Sequence, residues 1–144
     1  MPELDDDDPA ENLYKEGNSY DWKQDQSPAA ATLARANFQQ AAAMGHKGAV
    51  RALAHLIYEG RGGVQDKEQA LMLLWSAFTR GDQAALEELA DLLASYAESG
   101  ASGPHAKRAA KLSETLEALR AGLNEAETFM QQLRRERTRP AGTR

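Results

Sequence analysis

Apolar residues recur along this chain at steps of three and four, and no five-residue alternation of apolar and polar side chains supports a strand. The periodicity predicts helices near residues 9–20, 28–44, 47–59, 67–80, 83–98, 104–121 and 125–137. Their starts carry the chemistry a helix N-terminus requires. Ser27-Pro28 sets a capping residue before a proline at the first helical position, Asp66 precedes Lys67-Glu68, and Asn124 with Glu127 has capping-box spacing. The stretch 95–103, rich in Ser, Gly and Ala, reads as a loop.

The same pattern repeats. A Gly, an Ala four residues on and a Leu or Met four beyond that occur at Gly45-Ala49-Leu53, Gly81-Ala85-Leu89 and Gly122-Ala126-Met130, spaced by 36 and 41 residues. Each Gly closes an apolar segment, as Leu71, Leu74, Trp75 and Phe78 lead to Gly81, and Leu112, Leu116 and Leu119 to Gly122. A glycine there takes the left-handed conformation that closes the last carbonyls of a helix, and the chain reverses. The Ala one turn into the next helix is small enough for two helices to cross closely. The unit is therefore helix, glycine turn, helix, longer loop. The chain is predicted to be all-α, an α/α solenoid of about seven antiparallel helices in three and a half pairs. It would form a single domain over 1–137 with an acidic N-terminal extension at 1–8 and a basic tail at 138–144.

The C-terminal part permits a rival. Ala109, Leu112, Leu116, Leu119, Leu123, Ala126, Met130 and Leu133 follow heptad spacing, which would also suit one long helix in a dimeric coiled coil. Gly122 in its middle would cost such a helix about 1 kcal/mol, whereas the repeat and the Asn124-Glu127 cap account for it. A monomer is the expectation.

Residues 52–85, from ALAHLIYEG through RGGVQDKEQ to the closing Gly81 and Ala85, resemble the Sel-one-like repeat, a relative of the tetratricopeptide repeat. The resemblance rests on Leu53, Leu56, Tyr58, Gly60, Gly62 or Gly63, Val64, Asp66, Ala70, Trp75, Ala77, Gly81 and Ala85, with one extra glycine in the loop. A weaker copy at 13–49 keeps Leu13, Tyr20, Asp25, Phe38, Ala41, Ala42, Gly45, His46 and Ala49, but its loop Asp-Trp-Lys-Gln-Asp-Gln-Ser-Pro lacks the glycines. A third copy, 86–130, retains only helices and turns. The resemblance implies a right-handed superhelix whose first helices line a concave surface that holds proteins or peptides. In bacteria, proteins of this kind serve as adaptors, and some as immunity proteins that block a toxin.

Composition narrows the chemistry. A chain of 144 residues buries enough surface to fold without disulfides or metal, and it has no Cys. No run of 18 apolar residues suits a membrane span and the first residues do not form a signal sequence, so a cytoplasmic protein with no membrane partner is expected. The net charge of −5 hides a gradient, with nine acids against two bases in residues 1–26 and five acids against nine bases in 104–144. An acidic front suits a basic partner and makes nucleic acid, despite the tail arginines Arg134, Arg135, Arg137, Arg139 and Arg144, a poor match.

Enzyme chemistry finds no footing. His46, His55 and His105 are scattered: His46 reads as a turn residue, His55 as part of a ladder with Arg51 and Glu59, and His105 as exposed near a helix start. No His-x-x-x-His or Glu-x-x-His sets metal ligands on one helical face, Gly60-Arg61-Gly62-Gly63 lacks the Lys-Ser/Thr of a phosphate loop, and Asp5–Asp8 lacks the spaced ligands of a calcium loop. No cofactor, metal or catalytic residue is expected. Protein binding has a case in register, because adding 36 to Arg51 and His55 gives Glu87 and Asp91. With Glu59 and Glu88 these form a candidate charged groove, flanked by the aromatic anchors Tyr14, Tyr20 and Trp22. The expected function is a non-catalytic module that neutralises a basic toxin by occlusion, or, alternatively, an adaptor that binds peptides in the same groove.

Overall fold

The protein is described by a computed structural model over residues 8–20, 27–99, 103–117 and 123–138. Among these residues there are seven α-helices and no strand: α1 (Pro9–Ser19), α2 (Pro28–Ala43), α3 (Lys47–Glu59), α4 (Lys67–Thr79), α5 (Gln83–Glu98), α6 (Gly103–Glu117) and α7 (Leu123–Thr138). The all-α class read from the periodicity is what forms. The single expected domain is built as two compact units that divide between Asp82 and Gln83.

In the first unit each helix packs chiefly on the next along the chain, the nearest-neighbour logic of α/α repeats. The turns that end α2 and α4 are two copies of one motif. Gly45, at φ 89°, donates its N–H to Ala42 O at 2.9 Å, and His46 donates to Ala41 O at 3.0 Å. Gly81, at φ 106°, donates to Phe78 O at 2.9 Å, and Asp82 to Ala77 O at 3.1 Å. Both are Schellman caps, in which a left-handed residue closes carbonyls the helix can no longer satisfy. Ala49 and Ala85, one turn into the following helices, are fully buried, as the repeat requires.

The longer loop between α3 and α4 is pinned rather than slack. Asp66 caps α4 by accepting the Gln69 N–H at 3.1 Å, while its own N–H donates to Ile57 O at 3.0 Å. Arg35 of α2 reaches across and donates to Arg61 O at 3.3 Å and Val64 O at 3.1 Å. Gly62, at φ +74°, lies so close to α2 that a β-carbon built on it would stand 2.4 Å from Ala31 O. The glycine that this loop cannot replace is therefore Gly62. Phe38, Leu56, Leu71, Leu74 and Trp75 fill the core of this unit.

Helix starts follow the predicted chemistry with three changes. Ser27 occupies the N-cap of α2 yet makes no side-chain capping bond, and Asp8 is a cap of α1, accepting the Glu11 N–H at 3.1 Å. Asn124 lies within α7, which begins at Leu123, instead of ahead of it.

The second unit consists of α5, α6 and α7, with Leu89, Leu93, Tyr96, Ala109, Leu112, Phe129, Met130 and Leu133 buried. Ser113 Oγ donates to Ala90 O at 2.9 Å and ties α6 to α5. His105 Nε2 lies 2.6 Å from Glu136 Oε2, and its ring meets Phe129 edge-on at 5.9 Å. In one unbroken helix, residues 31 apart would be separated by roughly 46 Å. The two helices therefore fold back on each other, which excludes the continuous coiled coil. Gly122, which would make that turn, lies outside the described residues, as do Trp22 and the tail from 139.

Two stability measurements follow from this packing. Trp75, only 4% exposed, should cost about 3–5 kcal/mol when replaced in Trp75→Ala, read as a lower midpoint in urea unfolding. Gly62→Ala should lose about 1–3 kcal/mol through left-handed strain and the clash with Ala31, whereas Gly63→Ala, which meets only the Arg35 guanidinium, should lose less. Equal effects from the two glycines would contradict the docking of this loop.

Candidate functional site

Charged side chains placed at first sight for a ligand are partly used inside the first unit. Arg51 Nε donates to Asp82 Oδ2 at 2.8 Å, and the Asp82 side chain is 7% exposed. Asp82 is the residue just after the turn glycine of α4. Its counterpart 36 residues earlier, His46, follows the turn glycine of α2. There Nδ1 accepts the Ala49 N–H at 3.1 Å and caps α3, so the ring proton sits on Nε2 and donates to Glu11 Oε2 at 2.5 Å. The imidazole also stacks on Tyr14 with centroids 4.4 Å apart. Both turns thus tie their post-glycine residue to the preceding first helix of a pair, once as His to Glu and once as Asp to Arg.

These contacts reassign several expected site residues. Arg51 is engaged by Asp82, the bridging role that competes with ligand binding. Tyr14 is half-buried between His46, Phe38 at 5.8 Å and Gly48, where it holds α1 against the unit; it is not a projecting anchor. Tyr20, at the end of α1, is half-buried, and Trp22 lies outside the described residues. His55 and Glu88 are half-buried, while Glu59, Glu87 and Asp91 are exposed. Arg51, His55 and Glu59 belong to the first unit and Glu87, Glu88 and Asp91 to the second, and within its own unit each set lies along one helix.

A concavity of the first unit was not foreseen. A half-open cavity of about 370 Å³ is bounded by α2, α3 and α4 near the Gly45 turn. Its apolar wall comes from Ala42 and Ala43 of α2, Val50 and Leu53 of α3, and Leu73 and Ala77 of α4. Gln39, Lys47, Ser76 and Arg80 supply the polar edge. Small residues near the ends of α2 and α4 leave the apolar flank of α3 open. On α3 this flank is centred on Val50, and five residues at about 100° each put it about 140° around the helix from His55. The predicted ligand face and the observed groove are different sides of one helix. The signal for the groove was in the sequence, in the small residues that precede Gly45 and Gly81, but those residues also read as close helix packing.

Other chemistry is sparse among the described residues. No three His, Asp or Glu side chains gather to hold a metal, and no helix is long and apolar enough to cross a membrane. No family model, curated protein or solved structure matches the chain.

The Arg51–Asp82 bridge can be weighed by a double-mutant cycle. Arg51→Met should lower stability by about 1–3 kcal/mol, because a hydrogen bond between charged groups is lost and a carboxylate remains where water barely reaches. Asp82→Ala alone should also destabilise, and the double variant should lose less than the sum of the two. Additive losses in chemical denaturation would show that the pair is not coupled.

Proposed function

We propose that this protein is a non-catalytic binding module of the Sel-one-like repeat kind, and that it works by holding another protein. The observation that carries the reading is the open apolar groove of the first unit, bounded by three helices. Such a site is concave, largely apolar and edged by a few polar groups, the features that mark a binding surface on a fold. The helices that form it are fixed by Schellman turns, by the Arg35 clamp, by the Arg51–Asp82 ion pair and by the His46–Glu11 hydrogen bond, so a partner meets a preformed surface.

The narrower form of the proposal is neutralisation of a partner, a toxin in a bacterial cytoplasm, by stoichiometric occlusion. The acid-rich residues 1–26 and the exposed Glu59, Glu87 and Asp91 support a partner with a basic surface. Use as an adaptor for several peptides is the alternative.

One experiment bears on both. Full-length protein is immobilised beside its Ala43→Trp variant, in which a bulky ring fills the groove from the exposed side of α2. Wild type should retain a partner at one-to-one stoichiometry, and the variant, with unchanged thermal stability, should bind it on the order of tenfold more weakly or worse. One tightly held small protein supports neutralisation, and a set of unrelated proteins supports the adaptor. Equal retention by both forms would remove the groove from the reading. Glu87→Lys with Asp91→Lys should speed dissociation of a basic partner, and unchanged kinetics at two salt concentrations would show that these carboxylates take no part.

A further inference from the structure

The groove carries a charge opposite to that of the protein. The chain has a net charge of −5, yet the residues bounding the groove include two cations, Lys47 and Arg80, and no carboxylate. Both cations are exposed. The Lys47 ammonium reaches the turn that follows Arg80, since a β-carbon built on Gly81 would lie 4.0 Å from Lys47 Nζ. The neighbouring carboxylates are occupied elsewhere, since Asp82 is taken by Arg51 and Glu11 by His46.

We propose that the groove docks a peptide segment of a partner protein in which one or two apolar side chains are flanked by carboxylates, the apolar groups entering between α2 and α4 and a carboxylate lying between Lys47 and Arg80. This rests on the groove being the docking surface, and it specifies what that surface selects. A cavity of about 370 Å³ holds a pair of aliphatic side chains rather than a folded domain. Val50, Leu53 and Leu73 supply the contact for them. Two cations at the edge of a largely apolar cleft make that contact directional, because a bound carboxylate gains where an amide gains little and an ammonium is repelled. The basic surface expected to face the acidic residues of the chain and the acidic segment expected in the groove are separate features of a partner.

The test uses the full-length protein and three synthetic eight-residue peptides, each with two central leucines, flanked by glutamates, by glutamines or by lysines. Binding is followed by methyl and backbone NMR shifts at Val50, Leu53, Leu73 and Gly45. The glutamate peptide should perturb these positions and bind on the order of tenfold tighter than the lysine peptide, with the gap narrowing as salt rises. Lys47→Glu combined with Arg80→Glu, both at exposed positions that leave the core intact, should invert the order of the glutamate and lysine peptides. Inversion with unchanged folding establishes charge selection at the groove. Equal binding of all three peptides at the groove would overturn the charge selection while leaving the groove as a docking surface. Binding of none of them would overturn the segment, and retention of a native partner lost in Ala43→Trp would still uphold the docking reading. Groove shifts produced by octanoate at the same affinity would assign the site to a small amphiphile. Groove shifts produced by raising the protein concentration alone would assign it to a second copy, and either result overturns the peptide.

Discussion

The last turns of α2 and α4 each leave backbone carbonyls that a right-handed residue cannot close, and much of the first unit follows from closing them with glycine. At φ 89° and 106°, Gly45 and Gly81 close α2 and α4, and the Gly45 turn sends α3 back along α2. That short reversal forces the helix ends together, which in turn demands small side chains at the crossing. At the crossing of α2 and α3, Ala41 and Ala49 meet the demand and are buried. The same geometry fixes the next residue in each repeat against the preceding first helix, where only a side chain able to pair with its neighbour can stay.

The post-glycine residue shows how a repeat keeps a contact while changing its chemistry. His46 and Asp82 stand 36 residues apart and follow identical turns, yet one meets a carboxylate and the other a guanidinium. Either polarity satisfies the pair, so selection on packing leaves the sign of the charge free. What is not free is the need for a partner, because Asp82 is almost fully buried and an unpaired carboxylate there would be strongly destabilising. Charges consumed in this way are not available to a ligand, whereas Lys47 and Arg80 at the groove, and Glu59, Glu87 and Asp91 elsewhere, are exposed.

Most of the architecture was legible in the sequence because it depends on local rules. Helix period, the glycine at each turn, and the Ala and Leu that follow it are set by neighbours along the chain, and α3 and α5 coincide with the predicted 47–59 and 83–98. Contacts that join distant segments were less legible. Arg35 binds the backbone carbonyls of Arg61 and Val64, and a carbonyl belongs to every residue, so no side chain in the loop announces the clamp. Asp82 could have been found: the 36-residue step that carries Arg51 to Glu87 also carries His46 to Asp82, and a conserved turn position within the repeat is a stronger guide than a matching charge. Tyr14 looked like an anchor because an aromatic near an acidic end suits an interface equally well as a core, and only the stacking on His46 and the approach to Gly48 distinguish the two.

The groove lies beside the turns that close α2 and α4. Small residues stand near the ends of α2 and α4, Ala42 and Ala43 on one and Ser76 and Ala77 on the other. They leave room between these helices, and Val50 and Leu53 of α3 line the space. A larger residue at these sites would fill the cleft, so apolar surface is left open by the small side chains beside each turn. Apolar surface left to water favours whatever covers it. The turns that close α2 and α4 therefore border the surface through which this protein would hold a partner, with Lys47 and Arg80, which flank the two glycine turns, at the edge of that surface.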